Sequence, residues 1–114
     1  MHELSVTESL LEIALRHAQA AQAKRINTLY LVIGQLSSII DDSVQFYWDI
    51  VTKGTLAEGA QLQFQRIPTE MVCLDCLHRY TPNKEDMACS SCGGIHVKIV
   101  AGEEFRLEAL DVET

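Results

Sequence analysis

Four cysteines stand in two close pairs, Cys73 with Cys76 and Cys89 with Cys92. Each pair encloses two residues, and twelve residues separate the pairs. Two intervening residues let both sulfurs of a tight turn face one ion. Two such knuckles close a tetrahedron of four thiolates, the usual structural form of zinc. The same ligand set can hold an iron–sulfur cluster. A thioredoxin-like redox pair would need only one CxxC, opening a helix after a strand. Zinc on Cys73, Cys76, Cys89 and Cys92 is the expected reading. A site with four thiolates has no open position for catalysis. His78 and His96 lie nearby and read as loop histidines or as hydrogen-bonding neighbours of the metal.

A second possible metal site is the start of the chain, Met1-His2-Glu3. A large second residue should protect the initiator methionine from removal. The Met1 amine, the His2 amide nitrogen and a His2 ring nitrogen can then close fused five- and six-membered chelates. An all-nitrogen set of this kind favours square-planar Ni(II) or Cu(II). The Glu3 amide or carboxylate could complete it. Taken alone, most chains that begin Met-His bind nothing specific there.

The elements that must position these residues follow from pattern. Ser5-Val6-Thr7-Glu8 fits a capping box. Leu11, Ala14 or Leu15, Ala18 and Ala21 or Gln22 recur at helical spacing, so a helix is expected near 5–24. Leu29–Ile33 is short, apolar and β-branched, as in a strand covered on both faces, and ends at Gly34. Asp41, Asp42 and Ser43 are N-cap candidates for a second helix with Val44, Tyr47 or Trp48, and Val51 inward, ended by Gly54. Gln61–Gln65 alternates as a half-buried strand, with Leu62 and Phe64 inward, and Pro68 ends it. In the cysteine segment, Arg79-Tyr80-Thr81 and Asp86-Met87-Ala88 read as the two flanks of a short hairpin. Phe105–Ala109 alternates again, then the phase slips before Leu110 and Val112, as at a bulge. A lone C-terminal strand is marginal, so it should return to the sheet of the first half. The expected fold is therefore α+β. A small mixed sheet packs with two helices over 1–68 and 100–114, and a four-cysteine zinc ribbon is inserted over 69–99.

Composition narrows the function. With 47% apolar residues in 114, a packed core is affordable. Nine Lys and Arg against sixteen Asp and Glu give a formal charge of −7, which repels phosphate backbones and disfavours a nucleic-acid role. No apolar run is long enough to span a bilayer, and no secretory leader is evident. A cytoplasmic protein without membrane insertion is expected, in a compartment that keeps thiols reduced. No nucleophile–base constellation and no glycine-rich phosphate loop appears, so an enzyme is not expected.

Met1-His2-Glu3 at the start, the IGQLS segment (Ile33 to Ser37), the GT-x-AEGA-x-L segment (Gly54 to Leu62) and the paired CxxC motifs together resemble the HypA/HybF family. The resemblance covers essentially the whole chain. It implies a nickel metallochaperone for [NiFe]-hydrogenase maturation, with Ni(II) as cargo on Met1, His2 and Glu3 and zinc on the four cysteines. It also implies a HypB-type nickel-loading GTPase and a hydrogenase large subunit as partners. In some members an acidic residue before the second helix approaches the nickel, and here Asp41 or Asp42 lies in that stretch. The rival reading is a non-catalytic zinc-ribbon adaptor that mediates protein–protein contacts.

Overall fold

The computed structural model describes residues 3–83 and 86–114. The element order is α1 (Glu3–Ala20), β1 (Arg25–Gly34), α2 (Asp41–Val51), β2 (Gln61–Ile67), β3 (Glu70–Cys73), β4 (Arg79–Tyr80), β5 (Val97–Ala101) and β6 (Phe105–Glu113). Contacts divide the chain into two compact units. The first takes the chain up to Val32, then Ser38–Gln65 and Phe105–Thr114. The second takes Ile33–Ser37 and Arg66–Glu104. The architecture is α+β, with two helices and two three-stranded sheets among the described residues.

In the first unit, Thr7, Leu10, Ala14 and Ala18 form the buried stripe of α1 at helical spacing. The helix begins at Glu3, so Ser5 and Glu8 lie inside it, both exposed, and the expected capping box is not formed. Thr7 explains part of the change: its hydroxyl donates to the Glu3 carbonyl and ties the first turn. The helix also ends earlier than expected. Ala23 N–H donates to the Ala18 carbonyl at 2.9 Å and Gln22 N–H to the Gln19 carbonyl at 3.0 Å, with Gln22 at φ 55°. This pair of bonds is a Schellman ending with glutamine in the left-handed position that glycine usually fills. Gln22→Gly should therefore stabilise the protein by about 1 kcal/mol, seen as a higher Tm. An unchanged or lowered Tm would contradict this.

Helix α2 starts at Asp41, preceded by Ile40 as an extended N-cap without a side-chain cap. Asp41 and Asp42 are thus not the cap; they sit in the first turn, where carboxylates favour the positive end of the helix dipole. Val44 and Trp48 are fully buried, and the Trp48 indole N–H donates to the Ala60 carbonyl at 3.2 Å. Gly54, at φ 80°, turns the chain after the Thr52 cap. Ile26, Leu29, Leu31 and Leu62 supply the sheet's share of this core. The sheet order is β2-β1-β6, so the C-terminal strand does return to the sheet of the first half. Phase slips in β6 as expected: Glu108 and Ala109 are both exposed between half-buried Leu107 and Leu110.

The second unit's sheet has the order β4-β3-β5. Met71 pairs with Tyr80 and Val72 with Arg79, both antiparallel, so Arg79–Tyr80 closes on β3 rather than on Asp86–Ala88 as the hairpin reading expected. The turn between Cys73 and Cys76 reverses the chain and leaves β3 as the nearest partner. On its other side β3 pairs antiparallel with β5. The Ile33–Ser37 segment is held here by backbone bonds from Gln35 N–H to the Ile67 carbonyl (2.8 Å) and Leu36 N–H to the Gly102 carbonyl (2.7 Å). A Cβ on Gly34 would lie 2.0 Å from the Gly102 carbonyl oxygen, so only glycine fits there.

Candidate metal centre

The second unit's core consists of Met71, Cys73, Tyr80 and Cys89, with Val97 and Ile99 packed against it. Two of its four buried members are thus thiols, and apolar burial this small cannot hold a fold alone. The four cysteine sulfurs lie within 4.8 Å of one another. Cys73 Sγ is 3.7 Å from Cys92 Sγ, and Cys76 Sγ is 3.6 Å from Cys89 Sγ. A tetrahedron with metal–sulfur bonds of about 2.3 Å has edges of about 3.8 Å. Disulfides would need sulfurs about 2.05 Å apart. The donor set and its spacing therefore fit a tetrahedral thiophilic cation.

Both knuckles are built alike. Leu77 N–H donates to the Cys73 carbonyl and Cys73 N–H to the His78 carbonyl, at 2.8 and 2.9 Å. In the other, Gly93 N–H donates to the Cys89 carbonyl and Cys89 N–H to the Gly94 carbonyl, both at 2.8 Å. The residue four after the first cysteine of each has positive φ, Leu77 at 64° and Gly93 at 73°. Glycine suits that position and leucine does not, which is why only the second knuckle carried its backbone signature in the sequence. Tyr80 braces the site: its hydroxyl donates to the Met87 carbonyl at 2.7 Å, and its ring stacks on His78.

The thiols are electrostatically unequal. The N–H groups of Cys92 and Ser91 point at Cys89 Sγ, 3.5 and 3.4 Å away, and against the cost of burial they lower that thiol to about 6. For Cys76 the largest single influence is the His78 N–H, which favours the thiolate. The sulfur of Cys89, desolvation, and the sulfurs of Cys73 and Cys92 outweigh it and push the thiol up to about 12. At Cys92 the Gly94 N–H also favours the thiolate, but the sulfurs of Cys73 and Cys89 hold the group above its ordinary value. One thiolate forms readily, and crowding resists the next until a cation compensates it. Metal uptake near neutrality must therefore displace protons from at least Cys76 and Cys92. Apparent zinc affinity should rise by about a hundredfold or more per pH unit, tenfold for each displaced proton, in a chelator competition run at two pH values one unit apart. A pH-independent affinity would contradict this.

The nearby histidines have partners of their own. His78 Nε2 is 3.2 Å from Ser90 Oγ, and His96 Nδ1 is 3.3 Å from Asp75 Oδ1, with both histidines exposed. Among the described residues, the four cysteines form the cluster that could hold a metal. Met1 and His2, expected as nickel ligands, lie outside the described residues. Glu3, the third member, is the half-buried first residue of α1.

The family model described as "Hydrogenase/urease nickel incorporation, metallochaperone, hypA" matches residues 1–112. A hydrogenase maturation factor HypA from Dehalococcoides mccartyi (strain 195) is 39% identical over 113 residues, 99% of this chain and 95% of the relative. One from Geobacter sulfurreducens is 38% identical over 113 residues, covering 99% of this chain and all of the relative. The solution structure of the Ni metallochaperone HypA from Helicobacter pylori superposes with a TM-score of 0.71 at 29% identity, over 99% of this chain and 98% of that one. A second solution structure of a HypA protein gives a TM-score of 0.77 at 31% identity, over 98% and 96%.

Proposed function

The chain belongs to the HypA family of nickel metallochaperones for hydrogenase maturation, and from that premise we propose that it binds Ni(II) at Met1, His2 and Glu3. It delivers the ion for assembly of the [NiFe]-hydrogenase centre. A HypB-type GTPase loads the nickel, and the hydrogenase large subunit receives it. A separate zinc ion on Cys73, Cys76, Cys89 and Cys92 is structural and holds the 69–99 ribbon.

The observation that carries the reading is the match of the family model to residues 1–112, which takes in Met1-His2-Glu3 and both cysteine pairs. The sulfur tetrahedron supports zinc as a closed structural site, with no vacancy at which cargo could exchange. Cargo therefore belongs on a different donor set. A chain terminus suits release, since few tertiary contacts must break.

The test is complementation. In cells that lack their own family member, this chain should restore nickel content and activity of the hydrogenase, and His2→Ala should not. Full rescue by His2→Ala would sink the N-terminal assignment. It would favour the zinc-ribbon adaptor reading.

A further inference from the structure

β6 ends the sheet order β2-β1-β6, so one of its edges has no neighbouring strand among the described residues. Two open cavities run along it against α1. One, about 310 Å³, is lined by Leu10 and Ile13 with Phe105, Arg106 and Leu107. The other, about 410 Å³, is lined by His17 and Ala21 with Leu107, Glu108, Ala109 and Leu110. Four consecutive strand residues line the second, so the groove takes in the strand's backbone and not just one face. Leu107 lines both cavities, so they adjoin along β6.

The phase slip gives this edge an unusual symmetry. At one end the Glu113 carbonyl accepts from Lys24 N–H, and at the other the Glu104 carbonyl accepts from Gly34 N–H. Alternation from both ends directs the backbone polar groups of Val112, Leu110, Leu107 and Phe105 away from β1. Those four residues are also the half-buried ones, with Glu108 and Ala109 both exposed at the break. From Phe105 to Val112 the burial pattern reads the same in either direction.

Laid antiparallel on its own copy, β6 sets Phe105 opposite Val112 and Leu107 opposite Leu110 on the apolar face. On the outer face it sets Arg106 opposite Asp111, and Glu108 opposite Ala109. A shift by one residue either way places apolar side chains opposite acidic ones. Arg106 is the sole cation between Phe105 and Glu113, and this register places it against an acid twice in each pair of chains. Within one protomer Arg106 already bonds Glu108 at 3.0 Å with both side chains exposed, so it is free to reach a second carboxylate.

We propose that the free edge of β6 pairs with β6 of a second copy of this chain, forming a two-fold dimer with a continuous six-stranded sheet. The interface is isologous, and its register is fixed by the slip at Glu108–Ala109. Charge complementarity between Arg106 and Asp111 selects a second copy over an unrelated strand.

Sedimentation of the zinc-loaded full chain over a concentration series tests this. The wild type should show a monomer–dimer equilibrium. Arg106→Asp and Asp111→Arg should each weaken dimerisation by about tenfold or more, because each turns both charge pairs into repulsions. An equimolar mixture of the two variants should regain the wild-type affinity, since the mixed dimer restores opposite charges at both positions. That recovery also shows that neither variant is misfolded. A wild type that stays monomeric, a dimer indifferent to both reversals, or a mixture no tighter than its components would each overturn the proposal.

Discussion

Cys73→Ser should release the zinc and unfold residues of the second unit while the first unit stays folded. Cys73 is fully buried, one of four buried members of the small cluster around the thiols in the second unit. Serine offers a poor ligand and removes a corner of the sulfur tetrahedron. The remaining thiols keep their mutual crowding without the cation that relieves it. A structural zinc supplies on the order of 10 kcal/mol of folding free energy to a small module, so loss of one ligand should be decisive. The first unit carries its own probe. Trp48, the sole tryptophan, is fully buried on α2 with its indole N–H bonded to the Ala60 carbonyl. Its fluorescence should be unchanged, while metal analysis shows no zinc and amide protection is lost over 70–101. Retained zinc with protected β3 and β5 amides would refute a metal-dependent module.

The second large effect concerns nickel. His2→Ala should abolish stoichiometric Ni(II) binding and leave zinc content untouched, because the two donor sets lie far apart in the sequence. The predicted ligands are an amine, a backbone amide and an imidazole, and each must shed a proton before it binds. Nickel affinity should therefore fall steeply as pH falls. Spectra of the nickel complex should show the bands of a square-planar nitrogen-rich ion. Zinc loss in His2→Ala would contradict two independent sites, and so would octahedral, oxygen-rich nickel in the wild type.

These sites were unequally legible in the sequence. Two residues between thiols is a local constraint, so the cysteine cluster followed from spacing alone. The return of β6 to the first sheet followed from a physical need, since its alternating apolar face had to be buried. Its phase slip before Leu110 was visible as well. What stayed hidden depends on backbone angles and on very short strands. Gln22 and Leu77 take left-handed conformations that their side chains do not advertise. β4 has two residues and β3 four, too short for periodicity, and β4 pairs with β3 because a knuckle reverses the chain. The Ser5–Glu8 pattern does not cap α1 because the helix runs back to Glu3, past that serine.

Nickel held by the Met1 amine is the step on which the proposed delivery depends most. The direct measurement is calorimetric titration of Ni(II) into zinc-loaded protein with its native terminus, beside the same protein carrying one extra N-terminal residue. The extension moves the free amine out of the chelate that the Met1 amine and His2 nitrogens would form. One nickel per chain in the native form, lost on extension, is the predicted result. Equal nickel binding by both forms, or none by either, would contradict it.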